Sequence, residues 1–180
     1  MIALPTRQPF HNVLLLLRTL LDIVLLRKGP EAIPRSTLLF AVIVGFWFLS
    51  SALVLALIEQ YDEADFVIGL FTAAIGVACY AITVIVSGFP ARVLQTLSAI
   101  LGCGALISLV FVAEFVVLQP LAGPTVTGLI AQLILLWSVP VEGHIIARAI
   151  ERHWYIGIVI AIVVFILQYV VFRAMTGPVA

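Results

Sequence analysis

Read as apolar and polar positions, the chain is a succession of long apolar runs separated by short polar breaks. Five runs, at about 36–58, 66–87, 93–118, 125–148 and 155–173, are long enough to matter. Each is near or above the roughly 20 residues that an α-helix needs to cross about 30 Å of hydrocarbon. None alternates with period two, so helices are predicted rather than a transmembrane barrel. The breaks EQYDEAD, SGFPAR, QPLAGP and IERHW are short, which makes successive helices adjacent and antiparallel.

The stretch before these runs, PFHNVLLLLRTLLDIVLLRKGP, has a different pattern. On a helical wheel His11, Arg18 and Asp22 share one side, with Asn12 and Thr19 beside them, while Leu14, Leu17, Leu21, Val24 and Leu25 occupy much of the other. Arg18 and Asp22 are spaced i,i+4 and are expected to pair. Two charges in the middle of a free spanning helix are costly, so the reading is an amphipathic helix lying at the interface. The competing reading is a sixth span with its charges buried against the bundle. Pro9 suits the first turn. Arg27, Lys28, Gly29 and Pro30 are expected to end the helix, and Ser36 to cap the next one. The predicted architecture is an all-α integral membrane protein: an interfacial helix and linker over 1–35, then a five-helix transmembrane bundle over 36–180.

Composition agrees with that pattern. Of 180 residues 64% are hydrophobic and 10% charged, against about 45–50% and about 25% in soluble domains. Such a chain uses lipid as its solvent. The formal net charge is zero, so nucleic acid is not an expected partner. Cys79 and Cys103 fall inside spans and read as reduced packing residues. The first apolar stretch lacks a small-residue cleavage site and does not read as a signal peptide.

Charge sets the expected orientation. Arg7, Arg18, Arg27, Lys28, Arg35, Arg92, Arg148 and Arg152 fall on one side of the five spans, and only Arg173 on the other. The loop with Glu59, Asp62, Glu63 and Asp65 holds no basic residue. The positive-inside rule then predicts a cytoplasmic N-terminus and an outer C-terminus, in the inner (plasma) membrane of a bacterium.

Candidate chemistry is confined to a few polar residues in apolar surroundings. Glu114, Gln132 and Gln168 fall in the outer third of three spans and are predicted to share a layer. They read either as a polar, proton-responsive cavity or as interhelical hydrogen bonding, and the second is favoured because near-interface carboxyls cost less. Near the other end, WSVPVEGHIIARAIERHW holds Pro140, Glu142, Gly143, His144 and Arg148. Pro140 is expected to bend the helix, Gly143 to permit close approach, and Arg148 to pair with Glu151 at i,i+3. Glu142 is expected to meet His144 or a basic residue from another segment, Arg92 or Arg35. A proton relay is the functional alternative; a kinked helix end with snorkelling charges is the structural one. No HExxH, Cys/His cluster, GxSxG or Gly-rich phosphate loop is present, so no metal, cofactor or catalytic residue is assigned. Ser98 with Gly102, Ala99 with Cys103, and Gly69, Ala73 and Gly76 form small-residue stripes for close packing. Trp47, Trp137 and Trp154 are belt candidates, Trp154 the best placed.

A polar or amphipathic N-terminal segment followed by five close-packed spans resembles the Yip1-like membrane protein family. The stretches PFHNVLLLLRTLLDIVLLRKGPEAIPRS and WSVPVEGHIIARAIE look like small bacterial members, although the long acidic N-terminal region of eukaryotic members is missing. The resemblance implies a five-span fold and a non-enzymatic part in membrane organisation, with lipid and a protein partner or second copy as associates. It carries over no functional residue. The alternative expectation is a small transporter or channel using Glu114, or Glu142 with His144.

Overall fold

The structure, a computed structural model, describes residues 9–58 and 63–176. Every regular element among them is helical. Arg7, Glu59, Asp62 and Ala180 lie outside the described residues, as do the side chains of His11, Asn12 and Asp65. The helices are α1 (Pro9–Val24), α2 (Thr37–Leu57), α3 (Glu63–Val86), α4 (Val93–Ala149) and α5 (Trp154–Thr176), with single 3-10 turns at Pro30–Ala32 and Pro90–Arg92. Four helical segments are long and apolar enough to cross a membrane: Thr37–Leu57, Phe66–Val86, Pro90–Ala149 and Trp154–Thr176.

Helix starts and stops follow local chemistry. The Ser36 hydroxyl accepts from the Leu39 N–H, so the expected cap of α2 is in place. α1 stops earlier than its Gly-Pro signal. Its last helical residue is Val24, Leu26 takes φ 59, and the Arg27 N–H returns to the Asp22 carbonyl at 2.8 Å. A leucine holds the left-handed position that glycine usually takes at a helix end. At the end of α3, Gly88 takes that position with φ 91.

α4 has 57 residues and would be about 85 Å long if straight. It is not straight. At Gly123 the backbone leaves the helical region, with φ 77 and ψ 168. Beyond it the second arm (124–149) returns along the first (93–122). Ile107 and Phe111 line one cavity with Ala131 and Ile134, and Arg92 Nη1 donates to the Ala149 carbonyl at 3.1 Å, joining the far ends. The hinge follows from composition: Pro120 and Pro124 lack backbone N–H donors, and Gly123 supplies a positive φ at low cost. Through Pro140, by contrast, the dihedrals stay helical.

The buried core runs between α3, the two arms of α4, α5 and the end of α1. It includes Leu20, Ile23, Ile33, Tyr80, Val84, Ala99, Val141, Ile145 and Ile146. Gly143 and Gly157 set the closest approach. A Cβ on Gly143 would stand 2.8 Å from the Ile158 Cα, and one on Gly157 would stand 2.8 Å from the Ala147 backbone nitrogen. The second arm of α4 and α5 are therefore in backbone contact, as the Gly143 spacing predicts. The stripe on the first arm is also buried, with Gly102 against the Leu20 side chain. The α3 stripe is used unevenly: Gly76 packs on the Gln168 amide, while a Cβ on Gly69 would meet nothing within 4 Å.

Candidate functional site

One group of polar contacts lies where α4 meets the end of α1. Three carbonyls of α1 and the turn after it each face a side chain of α4. Trp137 Nε1 donates to the Val24 carbonyl at 3.2 Å. His144 Nε2 lies 3.1 Å from the Lys28 carbonyl. The Cys103 thiol is 3.8 Å from the Leu20 carbonyl, a weak contact. Leu20 and Ile23 are fully buried beneath this seam, whereas Val13, Leu14, Leu15, Leu21 and Leu25 are exposed.

Glu142 points away from that seam. Its Oε2 accepts from the Tyr80 hydroxyl on α3 at 2.5 Å, the short end of the O–H···O range. The expected partners are thus corrected: neither His144, Arg35 nor Arg92 bonds Glu142. The reason is helical geometry. Two residues on, His144 projects roughly 200° round the helix, and the bundle's end near Ala149 is about 10 Å further along. Tyr80 is itself buried, and a buried tyrosine hydroxyl requires a partner.

Ion pairs close the end of the bundle, differently from their sequence spacing. Asp22 pairs with Lys28 at 2.8 Å rather than with Arg18, because the left-handed turn at Leu26 folds Lys28 back over it. Arg148 pairs with Glu31 at 2.5 Å and not with Glu151. Glu151 lies past the helix end with φ 54, so the i,i+3 register is lost, and it reaches Arg92 at 2.5 Å. Gln95 ties the same region together, accepting from Arg35 Nε at 2.9 Å and donating to the Ile33 carbonyl at 2.6 Å. The Lys28 hydrogen bond holds the Asp22 carboxyl below its ordinary value. Burial raises that of Glu31, but its own backbone N–H and Arg148 outweigh this and hold it low.

The outer set does not come together by hydrogen bonding among the described residues. Gln168 Nε2 donates to the Thr72 carbonyl on α3 at 3.0 Å. Gln132 lines a 620 Å³ cavity with Ser51 and Ser108, between α2, α3 and the α4 arms. Glu114 is 8% exposed, and neither of its carboxyl oxygens has a partner among the described residues. Sequence reasoning missed Tyr80 and Gln95, and read Trp137 as a belt residue rather than as the donor to the Val24 carbonyl. For Tyr80 a signal existed, a tyrosine well inside a span and away from the aromatic belts.

Compared with family models, curated proteins and solved structures, the chain matches none.

Proposed function

We propose that the protein is a non-enzymatic membrane scaffold or assembly factor of Yip1-like type in a bacterial inner membrane. Its bundle crosses the bilayer five times, each arm of α4 counting as one crossing, with α1 as an amphipathic helix at the cytoplasmic surface. Support for five crossings comes from the reversal at Gly123, since each arm alone suits a bilayer and the whole does not. The orientation is supported by Arg35, Arg92, Arg148 and Arg152, which line one cleft at one end of the bundle. Exposed Arg18, with Leu14 and Leu21 open to lipid, suits an interfacial α1.

One observation carries the scaffold reading. The polar side chains near Glu142 are engaged in holding segments together: His144 on the α1 turn, Glu142 on Tyr80, Arg148 on Glu31. Of Glu142, His144 and Arg148, only Arg148 lines the cleft at this end of the bundle. The associates of such a scaffold are lipid and a protein partner or second copy. Crosslinking mass spectrometry in native membranes tests this: reproducible crosslinks to one protein or between copies are expected. The decisive variant is Glu142→Gln, which should fold and complement a deletion. A variant at wild-type abundance that fails to complement favours a proton-coupled role instead.

A second reading, a small transporter or channel, is favoured by Glu114, whose buried oxygens lack partners among the described residues. Flux assays in proteoliposomes separate the readings. Solute or proton flux lost in Glu114→Gln supports transport, and absence of flux supports the scaffold.

A further inference from the structure

At the end of the bundle where α1 docks, a cleft of 530 Å³ opens between the turn after α1 and the far ends of the two α4 arms. Arg35, Arg92, Arg148 and Arg152 line it, with Glu31 and Glu151 as its acidic groups. Each glutamate is already taken, by Arg148 and Arg92 respectively. Among the described residues Arg35 bonds only the neutral Gln95 amide, and Arg152 has no side-chain partner. Two arginines thus line one cleft with no ion-pair partner among the described residues. A guanidinium presents a planar fork of donors that matches phosphate oxygens.

The cleft also lies where a lipid headgroup would be. Arg35 immediately precedes the Ser36 cap of α2, and α2 is a membrane-length apolar helix. Within its first two turns Leu38 and Val42 are 77% and 56% exposed. A phosphate held between Arg35 and Arg152 would stand above an open apolar face on which acyl chains can lie. A soluble anion would use the arginines but not that face.

We propose that this cleft is a binding site for the phosphate headgroup of an anionic phospholipid, gripped by Arg35 and Arg152 and shaped by the Arg92–Glu151 and Arg148–Glu31 pairs. Basic recesses at the surface ends of transmembrane helices hold anionic headgroups in this way. The inference does not depend on whether the bundle is a scaffold or a transporter.

The test is native mass spectrometry of the full chain in detergent, titrated with phosphatidylglycerol or phosphatidylcholine. Phosphatidylglycerol should be retained preferentially. In the Arg35→Gln/Arg152→Gln double variant that retention should weaken about 25-fold, at about fivefold per arginine. Arg173→Gln, on the last turn of α5, should leave it unchanged. Among the described residues neither Arg35 nor Arg152 forms an ion pair, and Arg35 gives up only an exposed bond to Gln95, so the double variant should stay close to wild-type thermal stability, measured alongside. Equal retention of the two lipids by the wild type, or undiminished phosphatidylglycerol in the double variant, overturns the site. Inorganic phosphate is the third arm: if it displaces the lipid at comparable concentration, the site serves a soluble phosphate and the lipid assignment fails.

Discussion

Gly157→Ala probes the tightest contact in the bundle. A Cβ there would stand 2.8 Å from both the Ala147 Cβ and the Ala147 nitrogen, and would press harder still on the Gly143 carbonyl oxygen. Nonbonded carbons settle at about 3.5–4.0 Å, so α5 and the second arm of α4 must separate by about 1 Å. Two of the three obstructing atoms belong to backbone, which no rotamer change can relieve. Overpacking typically costs about 1–3 kcal/mol, and this case belongs in the upper half of that range. Alanine recovers about 1 kcal/mol of helix propensity, leaving a net loss of about 1–2 kcal/mol. Gly69→Ala is the control, because its Cβ would meet nothing within 4 Å; it should be neutral or stabilising by up to about 1 kcal/mol. Equilibrium unfolding by steric trapping in micelles or bicelles resolves differences of this size. If Gly157→Ala proved as stable as Gly69→Ala, the backbone contact between α4 and α5 would not exist as described.

Tyr80→Phe leaves Glu142 without its hydroxyl donor and should cost about 1–3 kcal/mol. Adding Glu142→Gln should recover part of that loss in a double-mutant cycle, and strict additivity would refute the coupling. Trp137→Phe keeps an aromatic ring but removes the donor to Val24, so amide hydrogen exchange at the end of α1 should quicken while the exchange of α5 is unchanged. Asp22 and Glu31 both titrate below their ordinary values of 3.8 and 4.5. Their contribution is therefore complete above those values and is lost as pH falls through the lower folded ones. Hydrogen exchange should show α1 docked at neutral pH and loosening only below about pH 4; loosening between pH 5 and 7 would contradict these assignments. Arg148→Ala removes a pair whose two side chains are each 56% exposed, and should change stability by less than about 1 kcal/mol.

Much of the helical layout is legible from apolar run length and breaker residues, because both act locally. The Ser36 cap, the starts of α2 and α4 and the reversal within QPLAGP are decided by groups a few residues apart. The same holds for Gly143, where the missing side chain lets α5 come into backbone contact. Even here a local signal misleads once: Gly29-Pro30 reads as the stop of α1, yet the helix ends at Val24. Its end is held by Trp137 and His144, more than a hundred residues away.

Partners of polar side chains are another matter. Spacing along a helix identifies which groups could pair, but a side chain pairs with whatever the packing brings within about 3 Å. Arg18 with Asp22 and Arg148 with Glu151 satisfy helical spacing and do not form. The chain turns left-handed at Leu26 and again at Glu151, and those turns deliver Lys28 to Asp22 and Glu151 to Arg92. Glu142 needed a partner on physical grounds, and its position within an apolar helix said so. That the partner is Tyr80, 62 positions earlier on α3, depends on how α3 packs against the second arm of α4. Local pattern along the chain was enough to read an apolar, helical protein, the places where most of its helices begin and reverse, and the clustering of its basic residues. Which carboxylate meets which donor, and that Arg35 and Arg152 line one cleft, came from packing alone, because those contacts join residues that no periodicity relates.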